Sequence, residues 1–81
     1  MQERIARALT ARLDELGDVG ERAGPHAPSF LRLLEAASVA TTNAVALDLL
    51  SAPRARAIWR EAAERHPVLY EAPRPRVRDA A

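Results

Sequence analysis

The chain predicts an all-α fold: a small three-helix domain with a disordered C-terminal Arg/Pro tail, completed by oligomerisation. Three observations carry this. Apolar residues recur every three or four positions rather than every second one. Gly, Pro and Ser fall in clusters that cut the chain into helix-length segments. No stretch alternates as a half-buried strand would. The expected helices span about 2–16, 29–50 and 53–65, within a helical domain over 1–70 and a flexible basic tail over 71–81.

In the first segment Ile5, Leu9, Leu13 and Leu16 repeat at intervals of four, four and three, and charged residues take the other faces. The stripe is narrow, one large residue per turn, as in a seam that meets a single neighbour. Gly17 reads as its stop, because glycine is the usual residue just beyond a helix C-terminus. Residues 17–28, "GDVGERAGPHAP", hold all three glycines and two prolines and read as a loop or hinge.

The second helix is expected to start at Pro28 or Ser29, since proline suits the first turn and serine can cap it, and to run to Leu50. Ser51-Ala52-Pro53 then breaks it, with Ser51 placed to cap a third helix. That helix puts Ala55, Ile58, Trp59 and Ala62 on one side, and Pro67 ends it. Val68, Leu69 and Tyr70 are expected to fold back as an apolar anchor. Beyond them, "EAPRPRVRDAA" alternates arginine with proline and lacks apolar mass, the pattern of an extended tail.

The apolar second segment contains "TTN" and an aspartate among leucines. At 100° per residue Arg32, Glu35, Thr42 and Asn43 share one sector, so Thr42 and Asn43 continue a solvent side. Thr41 and Asp48 fall instead in line with Leu34, at seven-residue steps, in the centre of the face expected to be buried. A buried aspartate needs a partner. Arg54 or Arg56 across the break would supply one internally. Alternatively Thr41 and Asp48 are polar members of a helix–helix interface that fix register or partner. A break of the helix at 41–43, with Thr42 or Asn43 as a cap, is the third possibility.

Composition bears on how such a domain is stabilised. Of 39 hydrophobic residues 18 are alanine, leaving 21 larger ones. A chain of ~60 residues buries only about 60% of its unfolded surface, and alanine adds little area to that. There is no cysteine for a disulfide. The composition therefore points to association, with itself or with a larger protein partner, as the remaining source of stability.

All 12 basic residues are arginine, and the net charge of +1 provides no global attraction to nucleic acid or an anionic membrane. Charge is segregated: residues 1–51 hold 5 Arg and 7 acids (−2), and residues 52–81 hold 7 Arg and 4 acids (+3). A small nucleic-acid-binding regulator is the second functional expectation, using Arg54, Arg56, Arg60 and the tail arginines Arg74, Arg76 and Arg78. Against it, Glu61 and Glu64 share the third helix and no aromatics interleave with the arginines. The first residues read as neither a signal peptide nor an organelle presequence, and no stretch is long and apolar enough to span a bilayer. A cytoplasmic location is the expectation.

Little in the chain resembles catalytic machinery. The two histidines, His26 and His66, stand far apart beside prolines and lack metal-ligand spacing. His66 is expected simply at a helix C-terminus, where a cation is favoured, and Asp14, Glu15, Asp18 and Glu21 as a solvated acidic run. No nucleophile elbow, phosphate-binding loop or cysteine nucleophile is present. No enzyme activity, metal or cofactor is expected. The functional expectation is a non-catalytic helical interaction module (accessory subunit, regulator or assembly factor) acting through an apolar interface centred on residues 30–50. Its expected contact residues are Phe30, Leu34, Ala37, Thr41, Ala44, Val45, Asp48 and Trp59.

Overall fold

The computed structural model describes residues 2–71. Among them the chain is all-α, with no strand. Three long helices, α1 (Gln2–Ala23), α2 (Pro28–Ala46) and α3 (Ala52–Arg65), are followed by a single helical turn, α4 (Val68–Glu71). Residues 72–81, with the tail arginines Arg74, Arg76 and Arg78, lie outside the described residues.

Helix α1 is the centre of the fold, because each of the other three helices packs on it. Its leucine seam is buried as the periodicity requires: Leu9, Leu13 and Leu16 are in the core with Ala6. The seam does not stop at Gly17. α1 continues to Ala23, and Gly17 and Gly20 are buried inside it. Both positions face close neighbours. A methyl group on Gly17 would lie 2.2 Å from Cγ of His66, and one on Gly20 would lie 2.6 Å from the Phe30 ring. Glycine extends the seam where the ends of α2 and α3 come too near for a side chain. The real stop is Gly24, whose φ of 96° lies in the left-handed region. The long loop expected over 17–28 is therefore reduced to a turn between Ala23 and Pro28.

Helix α2 begins at Pro28 with Ala27 as a cap that makes no side-chain bond. It is continuous through Thr41, Thr42 and Asn43, so no break occurs there. Its core side carries Phe30, Leu34, Ala37, Ser38 and Thr41. The buried hydroxyls are satisfied on their own helix: Ser38 Oγ donates to the Leu34 carbonyl at 2.7 Å and Thr41 Oγ1 to the Ala37 carbonyl at 2.8 Å.

The end of α2 differs from the expectation. The helix stops at Ala46, with Leu47 as C-cap, four residues before Leu50. The Asp48 N–H donates to the Val45 carbonyl at 3.1 Å and the Leu49 N–H to the Ala44 carbonyl at 2.9 Å. These two bonds form a Schellman closure, a motif that requires a left-handed residue after the cap. Asp48 is that residue, with φ 58°. Asparagine and aspartate are the side chains that best tolerate this region after glycine. The turn swings Leu50 into the core.

Ser51 then caps α3, its hydroxyl accepting from the Arg54 N–H at 3.3 Å. α3 buries Ala55, Ile58, Ala62 and Ala63 and ends at Arg65, two residues before Pro67. Val68 and Leu69 fold back into the core as anticipated, while Tyr70 remains exposed.

Candidate functional site

The residues expected to form a partner interface separate into two groups. Phe30, Leu34, Ala37 and Thr41 are buried within this chain's own bundle. Ala44, Val45 and Trp59 pack half-buried against the same core. Thr41, 1% exposed, is as buried as its position on the helix implied. Its partner is internal: the Trp59 indole N–H donates to Thr41 Oγ1 at 3.1 Å, tying α3 to α2.

Asp48 is a correction. It is exposed rather than central to a buried face. The helical projection that placed it inside assumed a helix running to Leu50, and a left-handed residue after Ala46 redirects the chain. Nor does Asp48 pair with Arg54, which instead meets Glu3 of α1 at 3.1 Å on the surface. Arg56 and Arg60, the other α3 arginines considered for nucleic acid, are exposed.

Two features remain on the surface, and the more polar of them lies where α1 meets the end of α3. His66, whose side chain is 14% exposed, lies across Gly17. Its Nδ1 is 2.9 Å from Glu21 Oε1 and its Nε2 is 3.1 Å from Asp14 Oδ1. Only the imidazolium can donate at both nitrogens. Its pKa is accordingly raised above 6.5, chiefly by the hydrogen bond to Glu21, against partial burial and with help from Asp14. Asp14 Oδ1 is also held by Arg65, whose Nε donates at 3.0 Å. The backbone completes the junction, because the His66 carbonyl accepts from the Leu69 N–H at 2.9 Å and so starts the turn of α4.

Asp18, Glu21 and His66 also bring three metal-ligating atoms within 4.8 Å of one another. Yet both ring nitrogens of His66 are already engaged by carboxylates, Nδ1 by Glu21 and Nε2 by Asp14, and the ion-pair clasp accounts for the arrangement. His26 is exposed in the turn before α2 and takes no part in this group. The acidic run of α1 is thus not merely solvated, since two of its members grip a histidine. The signal was present in the spacing. Asp14, Gly17 and Glu21 fall on one face once the helix is allowed to pass through the glycine.

The second feature is the outer face of α2, turned away from the core. Leu33, Val39 and Leu47 are 46%, 54% and 69% exposed. Between them Ala36, Ala40 and Asn43 are also exposed. Together with Arg32 and Glu35, these small residues and Val39 line a shallow, open groove. Leu33, Ala36, Ala40, Asn43 and Leu47 follow one another at steps of three, four, three and four, the spacing of a helix-pairing seam. Sequence reasoning assigned Thr42 and Asn43 correctly to the solvent side. It missed this stripe, because α2 is apolar on both faces and Leu33 stands directly beside the buried Leu34.

No protein-family model matches this chain, and neither a curated protein nor a solved structure is found to be similar to it. Among the described residues, no helix is long and apolar enough to cross a membrane.

Proposed function

We propose that this chain is a non-catalytic helical interaction module, an accessory subunit, regulator or assembly factor that engages another helix through the outer face of α2. The observation that carries this reading is the exposed seam Leu33–Ala36–Ala40–Asn43–Leu47. Its spacing is that of helix pairing, and its centre is of small residues that admit a close backbone. The inner face, with Phe30, Leu34, Ala37 and Thr41, is occupied by the chain's own core, so contact with a partner falls to the opposite side of the same helix. The alanine-rich composition supports it, because a small core gains from covering further apolar surface.

Leu33→Glu tests the reading. It places a charge on the seam without entering the core, so far-UV circular dichroism and the Trp59 emission are expected to be unchanged. Association of the chain with any protein, itself included, is expected to fall at least tenfold, the change that about 1.4 kcal/mol produces. A variant that keeps every association of the parent chain refutes the outer face as the contact surface.

A further inference from the structure

Building on the reading of α2 as a docking helix, we infer that its occupant is the α2 of a second copy, packed antiparallel about a two-fold axis at Ala40. The argument is the symmetry of the face itself. Leu33 precedes Ala40 by seven residues and Leu47 follows it by seven. Arg32 precedes it by eight and Asp48 follows it by eight. A two-fold rotation about Ala40 therefore lays Leu33 on the partner copy's leucine at 47 and Arg32 beside the partner copy's aspartate at 48, each twice. Apolar meets apolar and cation meets anion, as an isologous interface requires. A parallel pairing in the same register would set Arg32 against Arg32 and Asp48 against Asp48, so charge selects the antiparallel orientation.

Both charged residues are available for this. Arg32 and Asp48 are exposed, and neither makes an ion pair within the described residues. At the axis Ala36 and Ala40 leave room for two helices to approach to about 8 Å, the lower end of interhelical distances. The seam is one helix wide and about 21 Å long from Leu33 to Leu47 at 1.5 Å per residue. That places the contact at the small end of specific interfaces and makes a reversible dimer the expected product.

The left-handed turn at Asp48 gains a second role. The Schellman closure holds that exposed residue just past the helix end, next to Leu47 of the seam, and a glycine would close the helix equally well without a charge. An exposed ion pair contributes roughly two- to fivefold to an equilibrium, so losing two by symmetry, with repulsion replacing them, should weaken the dimer about tenfold or more.

Sedimentation velocity over about 1 µM to 1 mM measures the dimer, and disulfide trapping reads its orientation. The chain has no cysteine, so introduced ones are unambiguous. An antiparallel pair holds the two copies of position 33 far beyond the ~7 Å over which Cα atoms can be bridged. Leu33→Cys alone is then expected not to cross-link, while a mixture of Leu33→Cys and Leu47→Cys chains cross-links under mild oxidation. Arg32→Glu and Asp48→Lys should each weaken self-association, and an equimolar mixture of the two should recover it through complementary heterodimers. Efficient self-linking of Leu33→Cys without the mixed product overturns the antiparallel arrangement. A chain that stays monomeric to about 1 mM overturns the second copy as occupant. In that case the docking reading survives only if Leu33→Glu still removes binding of a different protein, and both fail if it does not.

Discussion

Gly17 in the middle of α1 and Asp48 just after α2 exchange the places these residue types usually take. Gly17 is helical and buried, and Asp48 is left-handed and exposed. The difference lies in what stands opposite each of them. Across from Gly17 is the root of the His66 side chain, so the absent Cβ is what lets α3 end against α1. Asp48 is exposed to solvent. What it must supply is a tolerable φ of 58° and, in the dimer inferred above, a charge. The same conformational freedom of glycine is unused at one site, where only its small size matters. At the other the freedom would be useful, and the chain has a charged residue instead. A residue's type therefore does not fix its structural role; the neighbour across the gap does.

The strongest way to break this comparison is to add the missing methyl. Gly17→Ala raises helix propensity by about 1 kcal/mol. It also drives Cβ into Cγ and Cβ of His66, atoms that no side-chain rotation can move aside while Asp14 and Glu21 remain engaged. Overpacking of this kind costs about 1–3 kcal/mol, and the clasp is lost as well. The expected net effect is destabilisation by roughly 2 kcal/mol, or about 8–16 °C in melting temperature for a domain of this size. Pairing the change with His66→Ala removes the nearer clash, with Cγ and the ring, and leaves the one with Cβ. The double variant should thus be less destabilised than the sum of the single ones by about 1 kcal/mol or more in a double-mutant cycle. Strict additivity would show that Gly17 is only a propensity defect. Gly20→Ala should follow the same direction with a smaller loss, about 1 kcal/mol, because the Phe30 ring edge can tilt where the His66 root cannot.

These two sites also show where the fold was legible in the chain. The spacing of Leu9, Leu13 and Leu16, the Ser51 cap and the fold-back of Val68 and Leu69 depend on local chemistry and periodicity, and each could be read directly. The extent of α1 could not. Gly17 and Gly20 signal an end unless one knows that His66 and Phe30 press against them, and those contacts span many residues of chain. Asp48 was misplaced for a related reason. Projecting a helical face past Ala46 carries the error of the helix end into every later residue. The docking stripe on α2 was hidden by ambiguity rather than by distance, since adjacent leucines at 33 and 34 give no preference for which side meets the core.

A smaller change sharpens the Asp48 side of the comparison. Asp48→Gly relieves a left-handed conformation that costs an L-residue about 1–2 kcal/mol, less for aspartate, and part of the gain is offset by glycine's greater freedom when unfolded. A rise in stability of about 0.5–1 kcal/mol is expected in chemical denaturation at concentrations too low for association. Asp48→Asn should be close to neutral there, because asparagine also tolerates this region. Both variants remove the carboxylate and should weaken self-association alike. Stability and association would then separate: glycine alone stabilises the monomer, while glycine and asparagine both loosen the dimer. A loss of monomer stability in Asp48→Gly would mean that the carboxylate, and not the backbone, is what matters at the end of α2.

The mildest perturbation is a change of pH at the junction that Gly17 makes possible. His66 has a pKa raised above 6.5 in the folded chain, with the Glu21 hydrogen bond the main cause. The folded state therefore holds the imidazole proton more tightly than the unfolded chain does, and stability falls with rising pH wherever the two differ in protons bound. The contribution of the clasp is complete below about 6.5, the unfolded value, and is lost as pH climbs through the raised folded value. Thermal unfolding followed from about pH 6 to pH 8.5 should show a modest decline in midpoint across that window. Glu21→Gln should flatten the decline more than Asp14→Asn, because Glu21 is the larger cause and Asp14 is shared with Arg65. His66→Gln should abolish it, since a neutral amide has no proton to lose over this range. A slope that persists in His66→Gln would have to come from another group, and it would remove the reason for linking this pH response to the contact across Gly17.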